Sequence, residues 1–481
     1  MMDYSVDDYI GLLRGERVTR TMSIGGQRRQ ATTDIIFLSH RPVGDDGLDK
    51  LVDAILSANE RQMIVKRRRL CTSNDSGSLQ HDDHSMHLAK KIYLRCANIK
   101  RIRSLAPLLS RSDSTEVLDL SMNELYNKGI IDLCDAIISS QCHEQSSLHS
   151  LFLRRCQIGC KGVSAIASLL MPSTSEWAPL PIETLDLSRN EIGNEGVTAL
   201  ARAISNGCSL EALNLSRCNI TGERSSRGLR RLFSTLLSNA RNANSDLLTL
   251  NLNGNDLTIE SFNAIAACIA GDSYTDDNNR KVYYSPSLKN LYLDNTNMSS
   301  SSAKKLAKAL ATNTGLKILS LSENSIGDDA AKAFADGLRS NQTLSLLLLG
   351  RSKYMTQEGA EALASCVYDE SHNAAILSLA ASNHVIEDFG LGNQTSIRLE
   401  HALHFNGIGS SECSIKRKKI AAFLNRECVR TMHHFAAFFV ANQQLDSRLG
   451  RSIALPFVVR HCTISCTFEM MRGMPEACLR R

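Results

Sequence analysis

The sequence predicts an α/β solenoid, in which short parallel strands and helices alternate along a stack of similar units. Pairs of leucines separated by one residue recur along the chain, and an Asn or a Cys often follows three positions after the second leucine. Apolar residues at helical spacing come after most of these pairs. Only 5% of the 481 residues are aromatic, so the core must be mainly aliphatic. Recurrence at a nearly fixed period is the signature of a repeat architecture.

The repeats can be aligned on the second leucine of each pair, which we call the anchor. The anchors are Leu94, Leu120, Leu153, Leu187, Leu215, Leu252, Leu293, Leu321, Leu349 and Leu379. Three of the intervals between them are 28 residues and the others run from 26 to 41, which indicates insertions into a fixed unit. Leu38 lies two such periods before Leu94. It predicts an eleventh copy, with a degenerate unit between them whose later part is a polar loop near residues 72–87.

Each unit has two halves with different periods. The leucine pair alternates like a short strand that buries both leucines and exposes the residue between them. The second half is helical, and in residues 192–204 it presents Val197, Leu200 and Ile204 on one face. Parallel strands joined through helices are therefore expected throughout the repeats.

The position three residues after the anchor has a structural role. An Asn amide there can donate and accept hydrogen bonds where the chain turns from strand to helix with its backbone still buried. Asn123, Asn190, Asn255 and Asn324 occupy this position. Cys156 and Cys218 replace Asn in two repeats and are interpreted as inert members of the core.

The Asn/Cys exchange, the 28-residue spacing and the Ile-Gly-x-x-Gly turn before the helix resemble the ribonuclease-inhibitor-like subclass of leucine-rich-repeat proteins. The resemblance covers about residues 34–390. It implies a leucine-rich-repeat solenoid shaped as a horseshoe, with parallel strands on the concave face and helices on the convex face. It also implies a role in binding proteins.

The flanks and insertions complete the expected domain organisation. Residues 1–33 are expected to form an N-terminal flank or cap that is partly flexible, because a solenoid exposes an apolar cross-section at each end. Residues 391–481 lose the repeat and are expected to form a helical C-terminal cap. Insertions that decorate the edges of the stack are predicted near residues 171–181, 221–227 and 271–286.

Composition limits the compartment and the partners. The net charge of +5 is too small to favour nucleic acid, and no apolar run of about 18 residues could cross a membrane. The 15 cysteines follow no disulfide framework, and the acidic N-terminus lacks the features of a secretory signal. We therefore expect reduced thiols and a cytoplasmic or nuclear protein. The basic runs at residues 66–69 and 416–419 are interpreted as solvated faces, with nuclear import as the alternative.

Signatures of catalysis and cofactor binding are missing from the sequence. It contains no phosphate-binding GxxxxGK[ST] loop, no GxSxG elbow, no HExxH and no paired CxxC. His81, His84 and His87 have the residue type of metal ligands, but they lie in a polar segment without a second ligand cluster. The sequence therefore predicts a protein that is not an enzyme and has neither cofactor nor metal.

Candidate partner-binding residues follow from the solvent-facing positions of the concave face. Two positions after the anchor, consecutive repeats carry Arg155, Arg189 and Arg217, with Arg154 beside the first. Arginine suits bidentate contacts with carboxylates or phosphates, so an acidic patch on a protein partner is expected. The alternative is that these arginines are solvated or paired locally. Further along the chain, Tyr292, Asp294 and Glu323 predict a more acidic and aromatic surface.

The sequence thus favours a non-enzymatic scaffold that binds a macromolecular partner on its concave face. One alternative is a GTPase-activating protein resembling the Ran-specific activators, which share this repeat subclass. The absence of a long acidic tail after the repeats counts against it. Another is a sensor component that acts within a larger assembly.

Overall fold

A computed structural model gives the structure of the protein. It describes residues 5–14, 21–24, 27–30, 35–72, 89–110, 115–139, 146–171, 179–221, 226–242, 247–275, 281–284, 286–368, 382–392, 399, 400, 403 and 406. The chain divides into two compact units. The first comprises residues 1–268 and 286–291, and the second residues 269–285 and 292–481.

Strands and helices alternate along the chain, as the repeat pattern predicts. The strands are β1 (Thr21–Ile24), β2 (Gln27–Gln30), β3 (Ile35–Phe37), β4 (Lys91–Tyr93), β5 (Val117–Asp119), β6 (Ser150–Phe152), β7 (Thr184–Asp186), β8 (Ala212–Asn214), β9 (Thr249–Asn251), β10 (Asp272–Thr275), β11 (Lys281–Tyr284), β12 (Asn290–Tyr292), β13 (Ile318–Ser320) and β14 (Leu346–Leu348). The α-helices are α1 (Val6–Leu13), α2 (Gly44–Thr72), α3 (Ala106–Leu109), α4 (Tyr126–Ser139), α5 (Cys160–Leu170), α6 (Gly193–Ser205), α7 (Ser226–Asn242), α8 (Ile259–Ala270), α9 (Ser300–Leu310), α10 (Asp328–Ser340) and α11 (Gln357–Val367). A 3-10 turn, Arg103–Leu105, precedes α3.

In the first unit, strands β3 to β9 pair in parallel, each with the next along the chain. The central leucines are in register, so that Leu118 lies opposite Leu151 and Leu151 lies opposite Leu185. The anchors of this unit that were predicted to be buried are at most 1% exposed: Leu38, Leu94, Leu120, Leu153, Leu187, Leu215 and Leu252. The leucine pairs therefore form the interior of the unit, as the sequence predicts.

The helical halves pack behind these strands. In α6, Val197 and Leu200 are fully buried and Ile204 is 5% exposed, which confirms the predicted apolar face. Helices α4, α5, α6 and α7 pack side by side in chain order. Each leucine pair is thus covered by a helix on one side and by its neighbouring repeats along the stack.

The interval between Leu38 and Leu94 holds one repeat, and the prediction of two periods was wrong. Strand β3 pairs directly with β4, with Ile36 opposite Ile92. The connection contains the 29-residue helix α2, which includes the basic run at residues 66–69. Residues 73–88, most of the predicted polar loop, lie outside the described residues.

The N-terminal flank contains a helix that packs against the first repeat. Helix α1 lies on α2 and buries Tyr9, Ile10 and Leu13. The Tyr9 hydroxyl accepts a hydrogen bond from the backbone N–H of Phe37 at 3.0 Å. Within the segment that was expected to be flexible, β1 and β2 pair as an antiparallel hairpin.

In the second unit, β13 and β14 pair in parallel with Leu319 opposite Leu347. A ladder of asparagines joins the helix ends of successive repeats. Asn341 Nδ2 donates to Leu310 O at 2.7 Å and to Asn313 O at 3.0 Å. Asn383 Nδ2 donates in the same way to Leu338 O and to Asn341 O, at 2.8 and 2.9 Å.

The next rung after β14 is formed by residues 386–389 and not by the copy predicted around Leu379. Leu346 forms a parallel bridge with Asp388, and Leu347 N donates to Asp388 O at 3.1 Å. Phe389 is fully buried and Leu391 is 3% exposed, so Leu391 takes the place of the anchor. The predicted strand position was therefore wrong, although residues 369–381 themselves are outside the described part.

The insertions differ in how much of them the structure describes. Residues 272–284 contain the antiparallel hairpin β10–β11, between α8 and β12 as predicted. Most of the insertion near 171–181, with Trp177, lies outside the described residues, as do residues 222–225. So does nearly all of the predicted C-terminal cap, including the basic run at 416–419.

Candidate binding surface

Buried asparagines hold the loop that follows each strand. Asn190 Oδ1 accepts from the backbone N–H groups of Cys156 and Ile158, at 2.9 and 3.0 Å. Its Nδ2 donates to Leu153 O and Leu187 O, at 2.7 and 2.8 Å. Asn190 thereby satisfies buried backbone groups of its own repeat and of the preceding one. The other asparagines at this position make the corresponding bonds: Asn123, Asn255 and Asn324.

Asparagine occurs in every second repeat, and small residues fill the position between. Each Asn reaches back into the preceding loop, so the repeat that precedes it needs only a small side chain. Cys156 Sγ donates to Leu120 O at 3.3 Å, and Cys218 Sγ donates to Leu187 O at 3.2 Å. Burial raises the pKa of both thiols to about 12. This geometry confirms that the two cysteines are inert members of the core.

Just before the Asn or Cys of these loops, the backbone adopts a left-handed conformation, and the side chain there is exposed. Arg155, Arg189 and Arg217 have φ values of 54°, 57° and 53°. Each residue is held there by its N–H, which donates to the next repeat: Arg155 N to Ser188 O at 2.9 Å, Arg189 N to Ser216 O at 2.8 Å, and Arg217 N to Asn253 O at 2.7 Å. The parallel ladder thus continues past the strands and places the three arginines on adjacent rungs.

The acids at the strand ends are part of the turns. Asp186 Oδ1 accepts from Ser188 N at 2.8 Å, and Asp119 Oδ1 accepts from Ser121 N at 2.9 Å. Asn214 makes the same bond with Ser216 N at 3.0 Å. An amide serves as well as a carboxylate here, because the bond requires only an acceptor oxygen.

We call Arg154, Arg155, Arg189 and Arg217 the arginine row. Arg154 is half-buried and the other three are exposed. Within the described part of the chain, none of the four guanidinium groups makes a hydrogen bond or an ion pair. Repulsion from Arg217 and then from Arg154 lowers the pKa of Arg189 below its ordinary value. The row is therefore a concentration of positive charge, and the local pairing considered as an alternative is not seen among the described residues.

The row is bounded by a glycine in the next repeat. Gly254 has the same left-handed conformation, with φ of 68°. A Cβ atom at this position would lie 2.7 Å from Arg217 Cγ. The side chain of Arg217 therefore lies across Gly254, where any larger residue would displace it.

Aromatic residues lie on the exposed side of several strands of this unit, and Phe152 is in the strand that leads to Arg154 and Arg155. Phe37 and Tyr93 are paired across β3 and β4, with ring centroids 5.8 Å apart. Phe152 lies in β6 between Asp119 and Asp186 of the neighbouring strands. Partial burial, followed by the carboxylate of Asp119, raises the pKa of Tyr93. These aromatic residues were not among the candidates drawn from the sequence. Each lies between the two buried aliphatic residues of its strand, at the position that was expected to face solvent.

The candidate residues of the second unit have other contacts. Asp294 Oδ1 accepts from Ser322 N at 2.8 Å and from the Ser320 hydroxyl. Glu323 Oε1 pairs with Arg351 Nη1 at 2.9 Å. Tyr292 is half-buried in β12. Both acidic groups thus have partners within the unit, and that of Glu323 is a cation.

The sequence was expected to hold neither a metal site nor a membrane span. The histidine segment at residues 81–87 lies outside the described residues. Elsewhere in the described chain, no group of three His, Cys, Asp or Glu side chains is placed to hold a metal ion. No helix among the described residues is both long and apolar enough to cross a bilayer.

Short parallel strands, asparagine-held loops and covering helices define this fold as a leucine-rich-repeat solenoid. A family model described as Leucine Rich repeat matches residues 144–167, 181–201, 208–223 and 312–335. The chain is a leucine-rich-repeat protein of the ribonuclease-inhibitor-like subclass.

Curated relatives carry similar repeats. Ribonuclease inhibitor of Mus musculus is 25% identical over 216 residues, which cover 45% of this chain and 41% of that protein. NACHT, LRR and PYD domains-containing protein 5 of Homo sapiens is 29% identical over 172 residues, 33% of this chain and 14% of the relative. Ribonuclease inhibitor of Sus scrofa is 30% identical over 105 residues, 22% of this chain and 21% of the relative. The chain matches less than half the length of each of these relatives.

Proposed function

We propose that this protein is a non-enzymatic scaffold that binds an acidic protein partner through the arginine row of its first unit. The observation that carries the proposal is the set of four guanidinium groups on three adjacent rungs of one ladder, none of which has a partner among the described residues. Proteins of this repeat class generally serve as protein-interaction scaffolds. A cytoplasmic or nuclear location, expected from the cysteines, is part of the same proposal.

The charge of the row favours an acidic partner. Like charges on adjacent rungs repel one another by an amount that salt reduces. A partner carboxylate relieves this repulsion and can accept two parallel hydrogen bonds from one guanidinium group. Arg155, Arg189 and Arg217 are exposed, so little is lost in removing existing contacts.

The neighbouring aromatic residues add an apolar component to the same surface. Energetically dominant residues at interfaces are enriched in aromatic side chains and arginine. Phe152 lies one strand away from the Asp186 turn that precedes Arg189. We therefore place the centre of the contact at Phe152, Arg155 and Arg189.

The rigidity of the backbone supports binding. The left-handed residues of the row are held by hydrogen bonds to the next repeat, and the loops are held by Asn190 and its equivalents. A surface that is already ordered loses less conformational entropy when it binds. This argument applies to any partner large enough to span several rungs.

Tyr292, Asp294 and Glu323 are proposed as secondary partner-binding residues of the second unit. Tyr292 offers a half-exposed ring, and the bonds of Asp294 and Glu323 fix their orientation. No feature of the described residues favours the GTPase-activating alternative, and we do not propose it.

The test is affinity capture with mass spectrometry, using the intact chain and the triple variant Arg155→Glu/Arg189→Glu/Arg217→Glu. The matched control is Lys50→Glu/Lys128→Glu/Lys161→Glu, which has the same change in net charge at exposed positions on helices of the first unit. We expect a partner that is retained by the intact chain and the control but lost from the arginine variant. With that partner purified, the arginine variant should bind about 100-fold more weakly or worse. Equal binding by all three chains would refute the proposal.

A further inference from the structure

The helix layer of the first unit has a break between α7 and α8. Helices α5, α6 and α7 pack closely in succession, whereas contacts between α7 and α8 are sparse. A groove of about 740 Å³ lies at this break, lined by residues of α6, α7 and α8. It is on the helix side of the unit, while the arginine row follows the strand ends. The groove is therefore separate from the surface proposed above.

The floor of the groove is apolar. Leu237 of α7 is half-buried there, and Phe233 beneath it is 1% exposed. The opposite wall consists of Ala264, Ala267 and Cys268 of α8. Small side chains on α8 leave space that larger residues would fill, so the groove offers an apolar surface with no covering element among the described residues.

Four arginines surround this floor. Arg202 comes from α6, and Arg227, Arg230 and Arg231 come from α7. The last three are spaced by three and four residues, so they lie on the same face of the helix. All four are exposed, and in the described part of the chain none of their guanidinium groups has a hydrogen bond or an ion pair. Helix α7 contains no Asp or Glu that could neutralise them.

We propose that this groove, the arginine groove, binds an acidic amphipathic segment of a partner protein. Carboxylates of the segment pair with Arg227, Arg230 and Arg231, and its apolar side chains cover Leu237 and Ala267. The volume accommodates several side chains of a single segment, in the range typical of ligand clefts. This is a second site, and it does not depend on the arginine row.

Other occupants fit the groove less well. A second copy of this chain carries a net charge of +5, so as a whole it supplies no excess of acidic groups for the arginines of the groove. Single-stranded nucleic acid is held by aromatic residues that stack on bases, but Phe233 in the groove is 1% exposed. The combination of an apolar floor and a rim of arginines is complementary to apolar and acidic side chains on one helix face or strand.

The experiment uses the full chain and a fluorescein-labelled peptide of about 18 residues, long enough to form a helix. Leucines at positions i, i+3, i+4 and i+7 form its apolar face, and glutamates occupy its other positions. Two comparison peptides replace either all glutamates by glutamine or all leucines by serine. Fluorescence anisotropy should show binding of the first peptide that weakens between about 0.05 and 0.5 M NaCl. Comparable binding of either comparison peptide would overturn the proposal.

Variants locate the binding site. Arg227→Gln/Arg231→Gln should weaken binding of the acidic peptide about tenfold, because two ion pairs are lost. Ala267→Trp should also weaken it while leaving all charges in place, since an indole on the α8 wall fills space that the peptide would occupy. Circular dichroism of both variants is the control for folding and should match that of the intact chain. The triple variant of the arginine row should bind this peptide as the intact chain does. If the row variant loses the peptide, or the groove variants retain it, the assignment to the groove is wrong.

Discussion

The side chain of Asn190 accepts a hydrogen bond from the backbone N–H of Cys156, 34 positions earlier in the sequence, at 2.9 Å. The two residues occupy the same position in consecutive repeats. Asn190 supplies the amide for both loops, and Cys156 contributes a small side chain that leaves room for it. The alternation of asparagine with small residues is thus a property of repeat pairs.

Replacement of Asn190 by alanine should strongly destabilise the first unit. The change leaves the N–H groups of Cys156 and Ile158 and the carbonyl groups of Leu153 and Leu187 without these bonds in a buried site. We expect a loss of about 3–5 kcal/mol in the free energy of unfolding, measured by chemical denaturation. Asn206→Ala, at an exposed helix end, is the control and should cost about 0.5 kcal/mol or less. Similar effects of the two changes would show that the loop bonds contribute little.

Alkaline pH should destabilise the protein through its buried thiols. Burial raises the pKa of Cys134, Cys156, Cys218 and Cys268 from 9.0 to about 12. A thiol whose pKa is raised in the folded state is stabilising below the pKa of the unfolded state, and this contribution is lost as the pH rises towards 12. Each thiol should cost about 1 kcal/mol between about pH 9 and pH 10, because only the unfolded chain ionises there.

Denaturation curves over this pH range provide the measurement. The double variant Cys156→Ala/Cys218→Ala should show a shallower loss of stability with pH, because two of the titrating groups are gone. An unchanged slope would mean that these thiols are not protected in the folded state. Slow reaction of the same thiols with iodoacetamide at neutral pH is the companion observation.

Gly254→Ala should disturb Arg217 as well as the backbone. The left-handed conformation alone costs about 1–2 kcal/mol with an L-residue, and the new Cβ atom would lie 2.7 Å from Arg217 Cγ. Gly207→Ala is the matched control, since Gly207 has φ of 80° but open space around it. We expect Gly254→Ala to lower the free energy of unfolding more than Gly207→Ala does. In a double-mutant cycle, Arg217→Ala should remove this additional loss. A coupling energy of zero between residues 254 and 217 would contradict the described packing.

Removal of one charge from the arginine row should stabilise the unbound protein at low salt. Arg189 is repelled by Arg217 and Arg154, so Arg189→Gln should raise the melting temperature in dilute buffer. The difference should shrink at about 0.5 M NaCl, where exposed charges are screened. Arg189→Lys keeps the charge and should melt like the intact chain. A rise that persists at high salt would point to a cause other than repulsion.

Much of the repeat framework could be predicted from residues 94–349, because the leucine pairs and the Asn position reflect local burial within each repeat. The segments that form the first and last rungs of the ladder could not be predicted in this way. Leu38 and Leu94 are separated by two nominal periods, yet β3 pairs directly with β4. The pattern around Leu377 resembles a strand, yet Asp388 pairs with β14. In both places the length of a connection gives no information about which segments become neighbours.

Only those parts of the candidate site that repeat along the sequence could be predicted from it. The arginine row was found because its members recur at one repeat position, but the role of Asp186 in the turn was visible only in three dimensions. Phe37 and Tyr93 form a pair because two strands distant in sequence are adjacent. The arginine groove depends on the failure of two successive helices to pack, which no residue pattern in either helix indicates.

The sequence by itself determined that this chain is a leucine-rich-repeat solenoid, because a strand that buries two leucines and a helix with one apolar face can shield them only by stacking on similar units. The tertiary structure decided which segments form the first and last rungs, which acids are engaged in turns and where the helix layer opens. These features depend on contacts between distant residues. One example is Asn383, whose side chain donates to Leu338 O and Asn341 O, 45 and 42 positions earlier, and so fixes its segment against the preceding repeat.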